Sequence, residues 1–97
     1  MSGLKDSVID FVVALAAERL KPKRVLLFGS RARGDARDRS DYDFAFQFEG
    51  ISHAEWARFV LDAQEQVPSL CGLDLVNLSE AREELRQKIL QEGRDLL

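Results

Sequence analysis

Residues 26–46 read LLFGSRARGDARDRSDYDFAF, and no other stretch limits the possible folds so strongly. It opens inside a short aliphatic run, Arg24 to Phe28, that reads as a buried strand. Gly29-Ser30 breaks that run, and a charged passage then leads into a second strand over residues 41–48. Successive side chains alternate faces in a strand. Tyr42, Phe44, Phe46 and Phe48 therefore share one face, which must be packed into a core, while Asp41, Asp43, Ala45 and Gln47 share the other.

The flanking pattern supplies the covering layer. Leu4, Val8, Phe11, Val12, Leu15 and Leu20 recur at helical spacing, so residues 4–20 are expected to form an amphipathic helix stopped by Pro22. Ser30 is expected to cap a short helical turn that Gly34 ends. Gly50 closes the second strand. Ser52-His53-Ala54-Glu55 has the S-x-x-E form of a capping box, and Trp56, Phe59, Val60, Ala63 and Val67 give the following helix, 53–67, an apolar face. Pro68 ends it. A third strand is expected over 73–78, and a last helix opens at Ser79, turns Ala81, Leu85 and Ile89 inward and stops at Gly93. The order α-β-(short α)-β-α-β-α predicts an α/β (α+β) domain in which helices pack on a small mixed sheet. No repeat, low-complexity tract or linker divides it, so residues 1–97 form one domain.

Composition excludes several function classes. With 45% hydrophobic and 32% charged residues the chain is an ordinary globular one. Its net charge of -3 argues against nonspecific nucleic-acid binding, which favours a basic surface. Cys71 is the only cysteine, which rules out a disulfide framework or a cysteine metal cluster and suggests a buried structural thiol. No signal-peptide pattern and no membrane-length apolar run occur, so a cytoplasmic location without membrane contact is the expectation. His53 lies in the first turn of a helix without a ligand-spaced neighbour and reads as a surface residue.

The chemistry concentrates where the charges do. Arg31, Arg33, Arg37 and Arg39 fall among Asp35, Asp38, Asp41 and Asp43, a mixture suited to phosphate and metal together, or simply to a solvated loop. Asp41 and Asp43 sit two residues apart on one strand face, about 6.5–7 Å between Cα atoms. Like charges so placed repel, and partial burial raises the pKa of at least one. A divalent cation reverses that preference, and an all-oxygen set with open positions suits Mg²⁺ shared with substrate phosphates. Taken alone, the pair is equally an exposed strand end with two solvated carboxylates.

Gly29-Ser30 shifts the balance. Glycine at the strand end lets the backbone approach a ligand, and the helical turn at Ser30 presents N–H groups that can hold phosphate oxygens. The Gly29–Gly34 spacing resembles a P-loop, but Asp35-Ala36 replaces the required Lys and Ser/Thr, and no dinucleotide fingerprint is present. Asp74, inside GLDLVNLSE, is a third carboxylate in an apolar strand, where burial is costly unless the group is paired or ligated. If that strand lies beside residues 41–48, the three aspartates suit a two-metal site for in-line attack on phosphorus.

Gly29-Ser30, Asp41-Tyr42-Asp43 and Asp74 together resemble the nucleotidyltransferase superfamily related to DNA polymerase β, and FGSRARG and SDYDFAF resemble its minimal nucleotidyltransferases, the MNT proteins. The likeness spans nearly the whole chain. It implies that Gly29 and Ser30 hold nucleotide phosphates, that Asp41 and Asp43 bind metal, and that Asp74 completes the site or activates the acceptor. Arg31 or Arg33 would stabilise phosphate charge. The resemblance further implies two Mg²⁺ ions, ATP as substrate, and a HEPN-domain RNase toxin as partner, with the MNT protein as antitoxin transferring AMP to a toxin tyrosine. Two alternatives stay open: neutralisation of the partner by occlusion alone, and nucleotidylation of a small molecule with a partner subunit supplying the acceptor site.

Overall fold

In a computed structural model the chain is described from Asp6 to Leu97. Leu4, the expected first apolar position of the opening helix, lies outside the described residues. Four helices and four strands follow in the order α1 (Ser7–Arg19), β1 (Arg24–Phe28), α2 (Ser30–Arg33), β2 (Tyr42–Gln47), α3 (His53–Gln66), β3 (Leu73–Asn77), a 3-10 turn (Leu78–Glu80), α4 (Glu83–Glu92) and β4 (Arg94–Asp95).

The strands form one mixed sheet in the order β3-β2-β1-β4. β1 runs antiparallel to both β2 and β4, while β2 and β3 are parallel and joined by α3 as the crossover. Both faces are covered. Val25 and Leu27 of β1 and Tyr42, Phe44 and Phe46 of β2 point to one face, where they meet Val8, Val12, Ala16 and Leu20 of the α1 segment and Phe59 of α3. Phe46 anchors this layer through edge-to-face contacts with Phe59 (centroids 5.3 Å) and Trp56 (5.8 Å). The expected core role of the two α3 aromatics is borne out. On the other face Leu26, Phe28 and Ala45 pack with Leu78 and with Ile89 of α4.

The local signals behave as their chemistry dictates. Asp6 caps α1, its Oδ1 accepting from the N–H groups of Val8 (2.9 Å) and Ile9 (3.2 Å). The capping box at α3 is complete: Glu55 N–H donates to Ser52 Oγ (3.1 Å) and Ser52 N–H to Glu55 Oε1 (3.0 Å). His53 is exposed and lies 3.3 Å from Glu80.

Three expectations need correction. Ala45 lies on the face opposite Phe44 and Phe46, as expected, but that face is not polar throughout: α4 and the 3-10 turn bury Ala45 completely. The last helix starts at Glu83 rather than Ser79: the Asn77 side chain accepts from Ser79 N–H (3.0 Å) and caps a separate 3-10 turn. Leu85 is consequently exposed, and Ile89 alone is fully buried on α4. β4, absent from the predicted order, follows Gly93 and pairs Arg94 and Asp95 with Leu27 and Leu26. Among the described residues no helix is long and apolar enough to cross a membrane.

Candidate active site

The β1–α2 turn is built around Gly29. Its backbone angles, φ +74° and ψ -155°, fall in a region essentially reserved for glycine. Gly29 is also the N-cap of α2, and its carbonyl accepts from Ala32 N–H (3.1 Å) and Arg33 N–H (3.0 Å). Ser30 is therefore the first helical residue, not the cap expected from sequence, and the cap position at Gly29 offers no side-chain bond. Gly34, at φ +85°, closes the turn.

Register delivers Asp43 to this turn. Asp43 pairs with Phe28, the last residue of β1, across the antiparallel ladder. A Cβ placed on Gly29 would overlap Asp43 Oδ2, so glycine is needed for space as well as for φ. On its other side Asp43 pairs with Asp74 across the parallel ladder. The central strand thus holds one carboxylate between the glycine turn and a second carboxylate.

The electrostatics of that position are unfavourable in a specific way. Half-buried Asp43 has its pKa raised, first by burial, then by the charges of Asp74 and Asp41 and by hydrogen bonding with Asp74; Arg33 opposes the rise. Asp74 is exposed on edge strand β3. Asp41, just before β2, is exposed too, and its Oδ1 accepts from Gly72 N–H (3.1 Å) while the Gly72 carbonyl accepts from Tyr42 N–H (3.0 Å).

The two arginines differ in their surroundings. Arg33 is exposed, within the field of Asp43, and paired with Asp35 (3.3 Å) and with Glu92 of α4 (3.2 Å). Arg31 is turned into the 37–40 loop: its Nη2 lies 2.9 Å from the Ser40 carbonyl oxygen, and its guanidinium carbon 3.9 Å from the centre of the Tyr42 ring. The Tyr42 hydroxyl donates to Asp6 Oδ2 (2.7 Å), and burial, then this bond, push its pKa up to about 12. Cys71 is half-buried rather than sealed in the core, and its thiol donates to the Asp38 carbonyl (3.4 Å). Nothing local in the sequence marked Asp6 or Cys71 as neighbours of the Asp-x-Asp strand, because these contacts span 36 and 33 residues.

The structure brings together Gly29, Asp43 and Asp74, with Asp41 and Arg33 in electrostatic range. It does not close the three aspartates into one ligand group: among the described residues no three His, Cys, Asp or Glu side chains form a ready metal cage. The donor set nevertheless fits Mg²⁺. That ion is held by one or two carboxylates, with substrate phosphates and water completing its octahedron, and the raised pKa of Asp43 marks negative charge that a hard cation would relieve.

A sheet of this order carrying this turn is the nucleotidyltransferase fold. It is shared with a solved structure assigned as a minimal nucleotidyltransferase, 32% identical, with 91% of this chain and 88% of that one covered at a TM-score of 0.72. The sequence profile described as "Polymerase beta, Nucleotidyltransferase" matches residues 5–97, and the chain belongs to that family. The same fold occurs in a toxin–antitoxin structure with AMP-PNP (22% identity, 92% of this chain and 72% of that one, TM-score 0.77). It occurs again in a complex of a tri-AMPylated HEPN toxin with its MNT antitoxin from Shewanella oneidensis (20% identity, 93% and 69%, TM-score 0.71). No curated protein matches the chain at a significant level.

Proposed function

We propose that this chain is a Mg²⁺-dependent nucleotidyltransferase that moves AMP from ATP to a tyrosine of a HEPN-domain toxin and so acts as its antitoxin. The observation that carries the reading is the placement of Asp43 between the Gly29 turn and Asp74. Phosphate held at the turn would lie beside the carboxylate pair. The choice of nucleotide and of a HEPN partner is supported by the structures of similar fold, in which a toxin–antitoxin pair is seen with AMP-PNP and an MNT antitoxin with an AMPylated HEPN toxin; the tyrosine is what the family resemblance implies.

In this reading the backbone at Gly29 and the Ser30 hydroxyl hold the triphosphate, and Arg33 offsets its charge. Asp41 and Asp43 hold Mg²⁺, with Asp74 joining them or taking the acceptor proton. When bound, the cation neutralises charge developing on the phosphate oxygens. The acceptor hydroxyl oxygen attacks the α-phosphorus as the bond to the β-phosphate bridging oxygen breaks. Pyrophosphate leaves with that electron pair, and the hydroxyl proton passes to a carboxylate, for which exposed Asp74 is placed on the open edge of the sheet.

The test incubates α-labelled ATP, Mg²⁺, the purified chain and the product of the adjacent gene, with the double variant Asp41→Asn/Asp43→Asn as control. Label on the partner with wild type alone supports the reading. An inhibited but unlabelled partner supports occlusion instead, and label on a small molecule supports the third reading.

A further inference from the structure

Arg31 occupies a junction that the reaction does not otherwise use. Its Nε donates to the Ser40 carbonyl (3.3 Å), and its Nη2 reaches the carbonyls of Ser40 (2.9 Å), Asp38 (3.2 Å) and Arg37 (3.3 Å) and lies 3.7 Å from Cys71 Sγ. Nη2 carries two hydrogens, so these acceptors share them, and the shortest contact fixes the group on Ser40. The guanidinium also stacks on Tyr42, 3.9 Å from the ring centre. Tyr42 in turn is tied to the cap of α1 through Asp6.

Three segments meet at this side chain. The first is α2, whose opening residues carry the Gly29-Ser30 turn. The second is the 37–40 loop, which leads directly into Asp41 and is folded back by Ser40 N–H to the Arg37 carbonyl (2.9 Å) and by Arg37 N–H to Ser40 Oγ (2.8 Å). The third is the 69–72 loop, which leads into Asp74 and contributes the Cys71 contact. A planar fork with fixed donor directions suits this work, and an ammonium on a flexible stem does not.

The geometry points to Arg31 as a positioning residue: it holds the 37–40 loop on Tyr42 and thereby sets where Asp41 stands beside Asp43, whose own place the ladder fixes, leaving phosphate contact to Arg33. The inference rests on the nucleotidyltransferase reading for its catalytic consequence, but the clamp itself is measured independently of turnover.

The experiment compares Arg31→Lys, Arg31→Met and Arg33→Met with wild type in two readouts: amide hydrogen exchange across residues 37–41, and kcat and KM for ATP in partner labelling. Both Arg31 variants are expected to exchange at least about tenfold faster over 37–41, since three shared carbonyl contacts are lost. Both are expected to lower kcat by about 10–100-fold with KM for ATP within about twofold of wild type. Arg33→Met should instead raise KM and leave exchange unchanged. Unchanged exchange in the Arg31 variants overturns the proposal, as does a raised KM in Arg31→Met that Arg31→Lys restores, the pattern of a phosphate contact. Faster exchange in a protein whose wild type labels nothing upholds the clamp and counts against the enzymatic reading alone.

Discussion

Asp43 and Asp74 stand opposite one another on adjacent parallel strands, and the Asp43 carboxyl is pressed at the same time against Gly29. The pairing places like charges together where the sheet is half-buried, a cost that the fold tolerates and that binding of a cation would remove.

Asp43→Asn is expected to abolish transfer and to stabilise the fold at neutral pH. The folded carboxyl keeps its proton to higher pH than the unfolded one. Between the ordinary carboxylate value and the raised one, the folded chain binds more protons, so wild-type stability falls as pH rises through that window. The amide has no such loss. Its advantage at pH 7 should be at most about 1 kcal/mol because solvent screens the group, and it should vanish below about pH 4. Thermal denaturation at several pH values, with and without Mg²⁺, checks this: the ion should raise the wild-type Tm and leave the variant unmoved.

Gly29→Ala should cost about 1–3 kcal/mol, because an L-residue is strained at φ +74° and ψ -155°. Its Cβ also meets the Asp43 carboxylate, so Mg²⁺-ATP binding, followed by calorimetry, should weaken together with stability. A variant with wild-type Tm and wild-type affinity would contradict both arguments.

Gly72→Ala separates site geometry from stability. The new Cβ would lie 2.8 Å from Asp41 Oδ1, the far end of a mobile side chain on an exposed residue. Denaturant midpoints should therefore shift by no more than about 0.5 kcal/mol, the range of surface substitutions. Transfer should fall, because the displaced Asp41 loses its bond from Gly72 N–H. Full activity would show that the position of Asp41 is unimportant.

Asp62→Ala tests the α1–α3 layer far from the carboxylates. Asp62 is only 8% exposed, accepts from Arg19 of α1 at 2.8 Å and lies 3.5 Å from Arg58. Removing it leaves Arg19 half-covered without its partner, a loss of about 1–3 kcal/mol in urea unfolding. Ratios of nucleotide affinity to wild type should stay near unity in the folded variant.

Much of this architecture was legible because its signals are local. The Tyr42-Phe44-Phe46 alternation, the Ser52–Glu55 capping box and Pro22 each act within a turn or two of chain, and the corresponding elements form where expected. β4 was not legible: two residues carry no pattern, and only pairing with Leu26 and Leu27 makes them a strand. Ala45 sits on the expected face, but its burial was not legible, because alternation tells which residues share a face and not whether a helix covers it. In the site, Asp43 facing Asp74 was foreseeable only on condition that their strands were neighbours. The contact of Asp43 with Gly29 and the turning of Arg31 into the 37–40 loop depend on the ladder register and the loop path, which no spacing encodes.

The crossover through α3 has a consequence for how such a site tolerates change. Asp74 reaches Asp43 by hydrogen-bond registration between β2 and β3, so the ladder acts as the ruler and the intervening chain as slack. Residues could be gained or lost near Gly50 or between Pro68 and Ser69 without altering the carboxylate spacing, provided that the strands re-dock in the same register. A slip of one position would do the opposite. It would send Asp74 to the apolar face and place a leucine beside Asp43, so the separation of the two acids has discrete settings and no gradual ones.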